Sequence, residues 1–184
     1  MLNIIAGTLS VGAPPIPPSS YESIATVTVG SGGASNVEFT SIPSTFKHLQ
    51  IRGLARIATG GSSGIIQFNS DTTTTNYYHH GIEALGSGTP AGFASNTFPF
   101  IISIPSTANM YAVTVTDILD YTNTNKYKTL RGLGGYDGNG SGYLALESML
   151  WMNTAAITSL QFSPNAQTWS QYANISLYGI KAAS

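Results

Sequence analysis

Cysteine is absent from the 184 residues, so neither a disulfide framework nor a cysteine metal site can be built, and the redox compartment is left open. Charge is scarce as well. Seven Lys and Arg stand against eight Asp and Glu, and charged residues make up 8% of the chain, where about 25% is usual. The densest positive stretch, residues 126–131, is too short to form a basic stripe, which argues against nucleic acid as a partner. No apolar run approaches the ~18 residues of a spanning helix, so membrane insertion is not expected. Residues 1–13 carry an apolar run and small residues but lack the positive n-region of a signal peptide, and we expect them to stay in the mature chain. Helical periodicity is missing too, apart from a weak possibility near Ala155.

What is present is apolar and hydroxylated. A hydrophobic content of 42% is enough for a core, and the length suits one domain. Ser and Thr supply about a quarter of the residues, so hydroxyls and amides must do the solvating that charges usually do. Such a surface gives little electrostatic repulsion between copies, which leads us to expect a working state that is an assembly.

The apolar residues alternate with a period of two in many short windows, the pattern of half-buried strands. Residues 150–180 frame the rest. Ile157, Leu160 and Phe162 form one run, and Ile175, Leu177 and Gly179 form another, with Asn174, Ser176, Tyr178 and Ile180 on its opposite face. Residues 163–166 read as a turn between them, predicting a closing strand pair that ends the domain from inside a sheet. Residues 23–29 and 36–41, joined by Gly30-Ser-Gly-Gly, predict a hairpin. Further strands are expected at 46–57, where Gly53 marks a bulge or a close approach, and at 65–69, 76–85, 98–104, 111–121, 126–136 and 142–152. Pro99 places the 98–104 strand at an edge, and residues 86–97 read as a loop. About ten short strands with Gly-rich turns indicate an all-β fold, an antiparallel, jelly-roll-like β-sandwich over residues 21–184. Residues 1–20 form a separate arm. Its apolar Leu2, Ile4 and Ile5 precede Pro14, Pro15, Ile16, Pro17 and Pro18, whose prolines favour stiff polyproline II and are barred from a central strand. The arm is a candidate docking spacer.

Catalytic and metal chemistry find little footing. Asp137, Asn139, Ser141 and Gly142 match the first half of a calcium loop, but Ser148 stands where the bidentate Glu belongs and Glu147 is out of phase, so a Gly-rich turn is the simpler reading. His79 and His80 are adjacent and point to opposite faces of a strand, where they cannot chelate one ion together. Asp117 and Asp120 likewise fall on opposite faces, and no serine lies in a nucleophile elbow. We expect no catalytic residue, no metal and no cofactor. The aromatics are richer: Tyr77, Tyr78, Tyr136, Trp151 and Trp169 are candidates for subunit contact or for stacking on a glycan, unless they serve the core.

Three stretches carry a resemblance. Tyr21-Glu-Ser-Ile-Ala-Thr-Val-Thr-Val-Gly-Ser-Gly-Gly-Ala-Ser, Phe39-Thr-Ser-Ile-Pro-Ser-Thr-Phe-Lys-His-Leu-Gln-Ile-Arg-Gly, and Ala156-Ile-Thr-Ser-Leu with Ile175-Ser-Leu-Tyr-Gly-Ile resemble a module of structural proteins in tailed bacteriophages, including phages of aquatic bacteria. The resemblance covers residues 21–181 and leaves the arm outside. It implies a place in the phage particle and brings no catalytic residues. The expected function is therefore a non-enzymatic virion protein of the tail or fibre type. A capsid decoration or cement protein and a carbohydrate-binding module are the alternatives. Expected partners are further copies of the chain in a homotrimer or other closed ring, other virion proteins, and a host surface glycan.

Overall fold

The computed structural model describes residues 19–182, and of residues 100–102 the backbone alone. Leu2, Ile4, Ile5, Pro14, Pro15, Ile16, Pro17 and Pro18 of the proposed docking arm lie outside the described residues. Twelve strands follow one another: β1 Tyr21–Thr28, β2 Val37–Phe39, β3 His48–Ala55, β4 Ser62–Phe68, β5 Tyr77–Leu85, β6 Ala91–Ser95, β7 Phe100–Ile104, β8 Ala112–Leu119, β9 Lys128–Asp137, β10 Gly142–Trp151, β11 Leu160–Ser163 and β12 Asn174–Ile180. One 3-10 turn, Thr74–Asn76, is the only helical element among the described residues, and the stretch near Ala155 is irregular.

Two antiparallel sheets hold these strands. The larger has the order β1-β12-β3-β8-β9-β10-β5-β6, and the smaller has the order β2-β11-β4-β7. They pack as a sandwich over one apolar core, in which Leu49, Ile51, Ile175 and Leu177 of the large sheet meet Val37, Phe39, Ile66, Phe68 and Phe162 of the small one. Alternation holds in β12, where Ile175, Leu177 and Gly179 turn inward. Gly179 is required there, because a β-carbon would enter the ring of Phe46.

The pairing differs from the sequence expectation in three places. The residues expected to form a first hairpin separate: β1 pairs with β12, while β2 pairs with β11 in the other sheet. Val37 and Phe39 are buried from the small-sheet side, and the glycine-rich link crosses between the layers, held by a bridge from Ala34 to Trp169. For the same reason β11 and β12 are no closing pair. They face each other across the core, although β12 does lie inside its sheet between β1 and β3. Residues 91–95, read as loop, form edge strand β6, whose single large side chain, Phe93, gave too little alternation to show.

Other expectations hold. β7 is an edge strand of the small sheet. Gly53 continues both of its ladders without a bulge, and a β-carbon there would press on Ile175 and Thr114 at 3.0 and 3.1 Å, so close approach is its role.

Candidate functional site

Three of the five candidate aromatics belong to the core, which removes them from surface contact in this fold. Tyr77, Trp151 and Trp169 are at most 1% exposed. Trp169 donates its indole N–H to the Phe162 carbonyl at 3.4 Å and bridges Ala34 and Ile57. Trp151 donates to Asp71 Oδ2 at 2.8 Å, and Tyr77 donates its hydroxyl to the Asp71 carbonyl at 3.1 Å while accepting from Phe68 N–H. Burial, reinforced by the Asp71 charge, pushes the Tyr77 phenol up to about 12. The polar atom of each large ring is thus spent inside. Tyr78 and Tyr136 remain half-buried.

The titratable residues are brought into separate jobs. Asp117 accepts from Gln50 Nε2 at 2.7 Å, whereas Asp120 is gripped by Lys47 and Lys126. The positive stretch splits: Lys126 sits on Asp120, Arg131 points to solvent, and Lys128 is fully buried, its Nζ donating to the carbonyls of Asn123, Lys126 and Thr154 at 2.7 to 3.1 Å. A lysine ammonium has three donors, and all three are used.

His79 and His80 do face opposite ways, the first buried and the second exposed. Inside, His79 Nδ1 lies 3.1 Å from Glu147 Oε2, a pairing the sequence reading missed. The two are diagonal neighbours, Glu147 lying opposite Gly81 and His79 opposite Met149, so only the register of β5 against β10 could have signalled the pair. Burial raises the Glu147 carboxyl above its ordinary value, against the opposing pull of His79. The Phe93 ring packs edge-on to His79 at 5.7 Å and occupies the place where Gly81 lacks a side chain. With 4% and 0% exposure the pair is enclosed rather than presented to a substrate. In the turn that matches half of a calcium loop, Asp137 Oδ1 accepts from Asn139 N–H at 2.8 Å, and Gly138 N–H donates to the Ser141 carbonyl at 2.7 Å, closing the β9–β10 hairpin. Among the described residues no group of three or more His, Asp and Glu could hold a metal ion.

The surface that stands out is the outer face of the large sheet, where the usual pattern is inverted. On β8, Thr114 and Thr116 point inward while Val113 and Val115 point to solvent. On β9, Gly132 and Gly134 point inward and Leu133 outward; on β10, Ala145 and Glu147 point inward, Leu144 and Leu146 outward. Register aligns these residues across strands. Val115, Leu133, Leu146 and Ile82 are successive cross-strand neighbours in one row. The next row runs through Leu54, Val113, Gly135 and Leu144. All seven aliphatic side chains are between 41% and 57% exposed. Gly135 leaves a dent in the second row, and a β-carbon there would run into the Tyr143 carbonyl. A polar row of Asp117, Arg131, Ser148 and His80 borders the patch on one side. Cross-strand apolar neighbours stand about 5 Å apart, so the patch is continuous.

A second feature is a cleft of about 470 Å³ at one end of the sandwich. Ser62 and Ser63 of β4, Ser103 of β7, Ser106 and Thr107 line it with hydroxyls, and Tyr136 gives an aromatic wall.

Comparison with known proteins adds no family. No family model matches the chain, and no curated protein matches it. A solved structure, a xylan β-1,4-xylosidase from Bacillus halodurans C-125, aligns with 80% of this chain at 6% identity and a TM-score of 0.27. The chain spans 33% of that enzyme's length. A similarity this slight carries no argument about fold or activity.

Proposed function

We propose that the chain is a non-enzymatic structural protein of a tailed-phage particle, of the tail or fibre type, whose jelly-roll-like sandwich works as a closed homo-oligomer, a homotrimer or another ring, and is fixed to the particle by its N-terminal arm. The observation that carries this reading is the pair of aliphatic rows on the outer face of the large sheet. A lone soluble chain exposes single apolar residues, whereas a continuous patch rimmed by polar groups marks a contact surface. The sequence resemblance to phage structural modules supplies the particle. Electron microscopy of particles carrying a C-terminal label tests it: label on the tail supports the tail or fibre reading. Label on the head shifts the assignment to a decoration or cement protein, and unlabelled particles defeat both.

One observation favours a second reading, a carbohydrate-binding module. The cleft beside Tyr136 pairs hydroxyl donors and acceptors with an aromatic face, the combination that holds neutral sugars. A glycan array comparing the natural chain with Tyr136→Ala tests this: binding lost in the variant supports a glycan role, and no binding by the natural chain removes it.

A further inference from the structure

We infer that the outer face of the large sheet is covered by the same face of a second copy, related by a two-fold axis passing near Leu133 and Leu146. This rests on the assembly reading above and specifies its contact.

The pattern inversion supports it first. Thr116, Gly132 and Glu147 occupy the inward row at the level where Val115, Leu133 and Leu146 point to solvent. The larger aliphatic side chains of this layer are therefore directed away from the chain's own core, a pattern expected of a sheet with a second apolar layer to cover it.

Area supports it next. Seven half-exposed aliphatic side chains leave on the order of 600 Å² in water, at the top of the ~300–600 Å² range of a typical monomer's largest patch and approaching the ~800 Å² per partner of a standard interface. The shape is that of sheet-on-sheet packing, in which two faces lie about 10 Å apart and interdigitate. The dent at Gly135, between Val113 and Leu144, offers a recess for a facing side chain.

The occupant follows from self-complementarity. The patch is one continuous area whose only charged row neighbour is Arg52, at the end of the first row beside Val115, so the matching apolar surface it needs is present on every other copy. A patch that pairs with itself gives an isologous, two-fold contact; a three-fold ring would require two different patches meeting head to tail. The geometry at this face thus points to a dimeric contact in place of the expected trimer.

The absence of cysteine makes a direct test simple, because one introduced thiol reports alone. Leu133→Cys in the full chain should be cross-linked to its own copy by a short bismaleimide. Leu119→Cys, exposed on β8 but beyond the polar row, should not be. Light scattering at about 50 µM should give twice the 19.3 kDa chain mass, and Leu133→Lys, folded by its melt, should weaken association at least about 30-fold, as expected for a central contact. A monomeric full chain, whether its arm or another molecule covers the face, overturns the inference. So does a trimer, or an oligomer that Leu133→Lys leaves intact. If the cross-link forms but labelled particles lack the chain, the two-fold contact stands and the virion reading falls. If the chain is in the particle and Leu133→Cys does not cross-link, the reverse holds.

Discussion

Asp71 ties together three segments at one end of the sandwich. Its carboxylate accepts from Trp151 Nε1, Asn76 Nδ2 and the Thr73 N–H at 2.8 to 3.0 Å. Burial acts to raise its pKa, but these bonds outweigh it and hold the group below its ordinary value. Asp71→Ala would leave the buried indole N–H of Trp151 without its acceptor, at a cost of about 2–4 kcal/mol in urea unfolding. Asp120 is held lower still, at about 2, by hydrogen bonds from Lys126 and Lys47. Both folded values lie below the unfolded ones, so the unfolded chain binds more protons in the window between them. Their stabilisation is complete above about pH 5 and is lost as pH falls through the folded values. Glu147 acts with the opposite sign. Its folded value is raised, so stability declines as pH rises from the unfolded value towards the folded one. We predict that Asp120→Asn flattens the acid side of the stability profile and that Glu147→Gln flattens the decline above about pH 5, as read from urea midpoints across pH. Equal slopes in variant and natural chain would contradict these assignments.

Among the elements, strands were legible and partners were not. Period-two alternation located most of β3, β5, β8, β9, β10 and β12, because each strand's two faces meet different surroundings. It could not say that β1 and β2 enter different sheets, since a Gly-Ser link is equally able to turn a hairpin or to cross between layers. β6 stayed hidden because only Phe93 in it is large. Tyr77, Trp151 and Trp169 went to the core for a related reason: composition cannot distinguish an indole bonded to Asp71 inside the core from one offered to a ligand. The outer aliphatic rows were visible as letters, but without the register nothing said that Val113, Leu133 and Leu146 face out together while Thr114, Thr116 and Gly132 face in. Gly179 gives an element-level test. Gly179→Ala puts a methyl group into the Phe46 ring and should cost about 1–3 kcal/mol by overpacking. A thermal melt at the natural temperature would show that the ring moves aside freely.

At the scale of the molecule, every described strand lies within residues 21–180, and Lys181 N–H closes onto the carbonyl of Ser20, the last residue of the arm, at 2.9 Å. A chain lacking residues 1–18 should therefore keep a cooperative melt, and loss of that melt would make the arm part of the fold. The uncovered aliphatic face is expected to drive assembly. Apolar contact is not screened by salt, whereas an interface of ion pairs is. The direct measurement is light scattering of the full chain at tens of micromolar in about 50 mM and about 1 M sodium chloride. The same oligomer is expected in both, at least as tightly held in the higher salt. A 19.3 kDa monomer in both, or an oligomer that dissociates as salt rises, would contradict it.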